Sequence, residues 1–210
     1  MTPSVREFYD ALAADYHLIF PDWDASMTAQ ARALDAVVRA RLGAGPHRVL
    51  DCSCGIGTQA IGLARVGHRV VGSDLSPAAV ARAAAEAAAR DAVLPVTVAD
   101  MRELPYREAV FDAVVCADNS LPHLLTADDI RTAPAGMRRV LRAGGLLLLT
   151  VRRRLGGAGT AYRVLGADPR GVERRGGRLG LLGGRLARAG GQWLLPARTH
   201  RATGLAAREI

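Results

Sequence analysis

The sequence predicts a doubly wound α/β domain, a parallel sheet with helices on both faces. Three observations carry this. Short apolar runs bounded by turn residues alternate with helical segments between residues 48 and 151. The runs are apolar throughout rather than at every second position, as strands buried on both faces are. The stretch from Arg48 to Asp74 reads strand, glycine-containing loop, helix and strand, at about the length a parallel crossover needs. With 210 residues, half of them apolar, the chain forms one ordinary domain with material for a sizeable core, which excludes disorder throughout.

Taken in order, residues 1–42 predict two helical pieces broken near Pro21. The second, over roughly 26–42, spaces Met27, Ala31, Leu34, Val38 and Leu42 along one apolar face, and Gly43 and Gly45 stop it. Val49 and Leu50 form a short buried strand, 58–66 a helix ended by Gly67, and Arg69–Gly72 a second strand that leads to Asp74. Ser76-Pro77 starts a helix, a capping hydroxyl followed by proline, and the alanine-rich run continues it to Arg90. Further strands fall at 95–98, 112–116 and 146–151. The helix predicted over 126–142 is kinked or restarted at Pro134 and ended by Gly144-Gly145.

The net charge of +8 divides unevenly. Residues 1–151 hold 15 Arg against 17 Asp and Glu, whereas 152–210 hold 13 Arg against 3. There is no lysine, and the 59-residue tail carries 13 Gly, 9 Leu and 9 Ala without lasting periodicity. No run approaches the ~18 consecutive apolar residues of a membrane span, and the N-terminal residues show no basic-then-apolar leader pattern. Cys52, Cys54 and Cys116 are an odd set for a disulfide scaffold, so a cytoplasmic protein is expected. A lone C-x-C without companion ligands predicts no metal; the two thiols are better read as loop packing.

Gly55-Ile56-Gly57-Thr58-Gln59-Ala60 matches the G-x-G-x-x-G/A pattern, whose glycines let backbone approach a ligand at a helix N-terminus. Four residues before the first glycine stands Asp51, a carboxylate that repels pyrophosphate and attracts a ligand ammonium. Asp74 ends the second strand, where an acidic residue accepts both ribose hydroxyls. Asp100-Met101 follows the third strand, at the edge and face of an adenine, and Asp118-Asn119 follows the fourth. Four acidic residues at successive strand ends outline one ligand-binding rim at the topological switch point. S-adenosylmethionine, with its ammonium, sulfonium, ribose and adenine, suits such a rim.

VLDCSCGIGTQAIGLA, VVGSDLS, ADMREL, FDAVVCADNSLPHLL and MRRVLRAGGLLLLTVR, in order over 48–152, resemble the motifs of the class I S-adenosylmethionine-dependent methyltransferases, a Rossmann-like family. FYDALAADYHLIFPDWD and NSLPHL further resemble the glycine/sarcosine N-methyltransferase-like branch. The resemblance implies a cofactor site of Asp51, Ser53, Gly55, Gly57, Asp74, Leu75, Asp100, Met101 and Asn119. It implies that Tyr16 and Trp23 fold over the cofactor, although the same aromatics serve equally as anchors of the helix to the core. Asn119, Ser120 and His123 would line the amine site, with Asn119 and His123 as the catalytic pair. Arg152 would clamp a substrate carboxylate, or stand as one more basic residue of the tail. Methyl transfer to a neutral amine needs positioning rather than a strong base, so an amide acceptor such as Asn119 suffices.

The resemblance stops at Arg152. Beyond it the family's acidic, aromatic run and later strands give way to residues with GC-rich codons, and we read 152–210 as out-of-frame translation. A genuine arginine/glycine-rich arm for a polyanion is the rival, weakened by having only Tyr162 and Trp193 as aromatics. On this reading the C-terminal strands are missing or disrupted, the tail is poorly ordered, and a five-strand sheet ends in an open edge at Val151. The predicted function is methyl transfer to a small amine. A cofactor-binding remnant and a nucleic-acid methyltransferase are the alternatives, the latter opposed by the acidic balance of 1–151 and the lack of a base-stacking platform.

Overall fold

The computed structural model describes residues 3–154 and 160–167 with the short segments 183–185, 187–189 and 192–194, and side chains over 3–150. The helices are α1 (Val5–Leu12), α2 (Trp23–Leu42), α3 (Thr58–Arg65), α4 (Pro77–Ala88) and α5 (Ala127–Val140). The strands are β1 (Arg48–Asp51), β2 (Arg69–Asp74), β3 (Val96–Val98), β4 (Phe111–Cys116), β5 (Leu141–Arg154), β6 (Thr160–Ala167) and β7 (Gly183–Arg185). They form one sheet in the order β3-β2-β1-β4-β5-β6-β7, with a separate pair, β8 (Ala187–Ala189) and β9 (Gln192–Leu194). All pairings from β3 to β5 are parallel, so the doubly wound fold is as expected.

Alternation along the strands explains why the central runs are wholly apolar. Val49, Ala113, Val115, Leu146 and Leu148 enter one core cluster with Met27, Leu34 and Val38 of α2 and Ile61 and Leu63 of α3. Leu50, Val114, Cys116, Leu147 and Leu149 enter the other with Met137 and Val140 of α5. The central strands β1, β4 and β5 therefore each feed a core on both faces. The strand order reverses between β1 and β4, and the ligand crevice of such sheets opens there, at the strands' carboxyl ends.

Local chemistry sets most helix starts. Ser4 and Glu7 form a capping box at α1, and the Asp22, Ser76 and Thr126 side chains accept from backbone N–H groups in the first turns of α2, α4 and α5. Asp22 starts α2 at Trp23, three residues before the expected boundary. Gly62 sits where α3 crosses α2: a Cβ there would stand 2.7 Å from the Ala31 Cβ and 2.9 Å from the Met27 carbonyl oxygen.

Two expectations need correction. Pro134 does not interrupt α5, which runs unbroken from Ala127 to Val140. The carbonyl that proline leaves unbonded belongs to Ile130, on the exposed side, while Ala133, Met137 and Val140 are buried and hold the helix to the sheet. Gly144-Gly145 does not end that helix either. The chain enters β5 at Leu141, and the glycines sit in an irregularity where the register with β4 shifts between Phe111↔Leu141 and Ala113↔Leu146. Gly144 takes a left-handed φ of +78° there.

Nor is β5 a bare edge. Eight residues, Thr160–Ala167, pair antiparallel with it from Arg154↔Thr160 to Leu147↔Ala167, and β7 pairs with β6. Thr160, Tyr162 and Val164 have the branched and aromatic side chains that strands favour. The expectation of a poorly ordered, disrupted tail otherwise falls on residues outside those described. No helix among the described residues is long and apolar enough to cross a membrane.

Candidate cofactor and acceptor site

A cavity of about 460 Å³ opens at the carboxyl ends of β1, β2 and β4, within the range of small-molecule sites. Its floor is the β1–α3 loop. Gly55 and Gly57 take φ of +51° and +97°, left-handed values that favour glycine. A Cβ on Gly57 would stand 2.7 Å from Ile61 Cδ1, whereas one on Gly55 would meet nothing within 4 Å, so the wall is open at Gly55.

Across the loop, Asp74 is fixed by two backbone amides. Gly55 N–H donates to Oδ2 at 2.8 Å and Ser76 N–H to Oδ1 at 3.0 Å. Each oxygen keeps a second lone pair, an arrangement able to receive two vicinal hydroxyls. Burial pushes this carboxyl up from its ordinary value, against the lowering effect of its amide donors. Asp100, at the end of β3, is held instead by Arg102, which bridges it to Asp129 of α5. The Arg102 guanidinium holds the Asp100 carboxyl below the usual range.

The acceptor end lies at the tip of β4. Asp118 and Asn119 both adopt left-handed backbone, with φ of +52° and +64°. Non-glycine residues in that region cost on the order of 1–3 kcal/mol each and are found where a site demands them. Thr150 of β5 stabilises the turn: its Oγ1 accepts from Asp118 N–H at 2.9 Å and its carbonyl from Asn119 N–H at 3.2 Å. Gln59 Nε2 donates to Asp118 Oδ2 at 2.8 Å.

Helix α1 roofs the cavity although none of its residues is buried. Tyr9 Oη and His123 Nε2 share a hydrogen bond of 2.8 Å, and Asp10 Oδ1 accepts from Ser76 Oγ at 2.5 Å and Ala78 N–H at 3.1 Å. Behind the wall, Trp23 Nε1 donates to Thr58 Oγ1 at 2.8 Å, with the Arg90 guanidinium 4.8 Å from the ring centre.

Of the residues singled out from sequence, Tyr16, Ser53, Gly55, Asp74, Leu75, Asp100, Met101 and His123 share the cavity wall, as do Cys52 and Cys54. Trp23 reaches the wall through Thr58, and Asn119 lies between the wall residues Asp118 and Ser120. Asp51 is fully buried beneath the loop rather than in the wall, its Oδ1 accepting a long 3.4 Å bond from Ser53 N–H. Its Oδ2 has no hydrogen-bond partner among the described residues. Burial, together with the Asp74 and Asp118 charges, pushes its carboxyl up to about 8. The Arg152 side chain lies outside the described residues. Sequence reading missed Tyr9 and Gln59 as contributors, although it expected a helical piece before Pro21, where α1 stands.

Residues 49–145 match the family model described as a methyltransferase domain. The chain is 38% identical over 145 residues to a glycine/sarcosine N-methyltransferase of Parasynechococcus marenigrum, covering 68% of this chain and 50% of that protein. It is 34% identical over 109 residues to the enzyme of the same name from Aphanothece halophytica, covering 51% and 41%. The chain thus spans about half the length of the curated relatives it matches. Among solved structures, a TehB-like S-adenosylmethionine-dependent methyltransferase from Corynebacterium glutamicum superposes with a TM-score of 0.56 at 26% identity, over 71% of this chain and 76% of that one. The residues present fit the cofactor these matches imply, since Asp74 is aimed by backbone amides and the wall is open at Gly55. Through residues 49–145 the chain belongs to the class I S-adenosylmethionine-dependent methyltransferases.

Proposed function

We propose that this chain transfers a methyl group from S-adenosylmethionine to a small amine of the glycine or sarcosine kind. Asp74 carries the reading: a half-buried carboxylate with both oxygens oriented by backbone amides, in a cavity whose other end is the acidic turn of β4. Asp74 receives the ribose hydroxyls, Ser53 and Gly55 admit the amino-acid portion, and Leu75 and Met101 pack the adenine, with Asp100 at its edge. Gly57 sets the start of α3, and Asp51 shapes the loop from beneath through Ser53. Tyr16 closes the cofactor end and Trp23 supports it through Thr58.

When bound, the cofactor supplies an electrophilic methyl on a sulfonium. The chain's own contribution is positioning. An acceptor nitrogen needs its lone pair in line at ~3–3.5 Å, and Asn119 and His123 flank that end, His123 steadied by Tyr9. Arg152, directly after the apolar stretch of β5, takes an acceptor carboxylate. The choice of a glycine-like amine is supported by the two relatives named for that reaction. We assign 1–151 to the methyltransferase domain, capped by 1–42, and place it in the cytoplasm, in keeping with three buried free thiols. Residues 152–210, whose first part completes β5 and supplies β6, we read as out-of-frame translation, an assignment that translating the coding DNA in its other frames checks.

Calorimetry with S-adenosylmethionine, followed by transfer of labelled methyl to glycine and sarcosine, tests the function. Asp74→Ala should weaken cofactor binding by roughly 2–3 kcal/mol, the scale of charge-assisted bonds to two hydroxyls. Binding of NAD without S-adenosylmethionine binding would overturn the assignment. Cofactor binding without transfer to any amine would leave a binding remnant.

A further inference from the structure

Two consecutive left-handed non-glycine residues, Asp118 and Asn119, are held at the tip of β4 by independent anchors. Thr150 fixes the backbone through two hydrogen bonds, and Gln59 fixes the Asp118 side chain. Gln59 is itself fixed, its Nε2 also donating to Gln30 Oε1 at 2.7 Å. The orientation of that amide is dictated, because turned over it would point a carbonyl oxygen at the carboxylate. The effort of the surrounding structure goes into presenting one carboxylate, in a wall shared with Tyr9, Ser120 and His123.

That carboxylate forms no ion pair with any arginine or histidine among the described residues. Its charge acts on Asp51 and on the Tyr9 phenol, raising both, while the basic groups of the same wall are engaged elsewhere: Arg6 with Asp10, Arg102 with Asp100 and Asp129, and His123 with Tyr9. Burial pushes the Asp118 carboxyl up from its ordinary value. A desolvated carboxylate is balanced by a group that brings both positive charge and N–H donors. Gln59 supplies a donor but no charge.

We propose that Asp118 binds the ammonium group of a ligand, anchoring it at the acceptor end of the cavity. This rests on the functional reading above and deepens it. Two ligands of that reading carry an ammonium, the amino-acid portion of the cofactor and the acceptor amine. If the acceptor is the source, Asp118 also takes one proton from the incoming ammonium. The nitrogen lone pair is then free, and the proton passes from the carboxyl to solvent before the next cycle.

The test compares wild type with Asp118→Asn, a substitution of equal size that tolerates left-handed backbone. Calorimetry measures S-adenosylhomocysteine against 5′-methylthioadenosine, the same nucleoside thioether without the amino-acid group. It then measures sarcosine against acetate on protein saturated with S-adenosylhomocysteine. The variant should bind 5′-methylthioadenosine within twofold of wild type and lose at least tenfold for one ammonium ligand. Loss on S-adenosylhomocysteine identifies the cofactor ammonium, and loss on sarcosine alone identifies the acceptor. Equal losses on ligands with and without an ammonium, or no loss at all, overturn the role of Asp118. Wild type that binds neither nucleoside overturns the functional reading itself, and a role for Asp118 in it.

Discussion

Replacing Asp51 with asparagine isolates the cost of placing a carboxyl beneath the cofactor loop. Asp51 is fully buried, and its carboxyl is raised from 3.8 to about 8. Between those values the folded chain holds a proton that the unfolded chain has released. The contribution of this group is therefore fully present below pH 4 and is lost as pH rises toward 8, at about 1.4 kcal/mol per pH unit. From pH 4 to pH 7 that loss is on the order of 4 kcal/mol. An asparagine carries no titration, but its amide hydrogens inherit the position of Oδ2, which lacks a partner among the described residues, at a cost of about 1–3 kcal/mol. Asp51→Asn should thus be more stable than wild type at pH 7 by roughly 1–3 kcal/mol, the difference between those two figures. Urea denaturation at half-unit steps from pH 5 to pH 8 should show the gap widening with pH. If the two curves run parallel across that range, Asp51 does not titrate there and the argument fails.

His68 gives the opposite sign. Burial lowers its pKa below 6.5, and its Nδ1 accepts from the His47 backbone N–H at 3.2 Å while Nε2 lies 2.8 Å from Asp35 Oδ1. The folded state therefore resists protonation, and this contribution, full above pH 6.5, is lost as pH falls below it; comparing His68→Gln with wild type by urea denaturation should show wild type losing more on acidification. Gly62→Ala places a methyl within 2.7 Å of the Ala31 Cβ and should cost about 1–3 kcal/mol by overpacking, read as a lower melting temperature. Trp23→Phe removes the donor to Thr58 and should cost about 0.5–1.5 kcal/mol in thermal denaturation.

What could be read from sequence was whatever local backbone physics enforces. Gly55 and Gly57 are needed by their own φ values, Ser76-Pro77 by the helix it starts, and Asp74 by its place at a strand end. Asp51 shows the limit of that approach. Its position along the chain was legible, but whether its carboxylate points to ligand or into the core depends on how the loop folds over it. Tyr9 and Gln59 were invisible for a related reason: their partners, His123 and Asp118, lie far off in sequence, and no motif joins them. The start of β5 was misplaced because Gly144-Gly145 punctuates a bulge as readily as a helix end. The edge partner of β5 was missed because glycines around 160–167 hide a short branched and aromatic run.

The attachment of α1 bears on how any ligand comes and goes. A helix with no buried side chain, tied down by hydrogen bonds from Tyr9 and Asp10, is held by interactions worth about 0.5–1.5 kcal/mol apiece. The sheet beneath it is held by two interlocking apolar layers. Residues 5–12 should therefore open as a local unit, read as faster amide hydrogen exchange there than in β1 or β4. Residence time in the cavity would then follow the fraying of these eight residues, and a mutation in α1 that leaves global stability untouched should still change it.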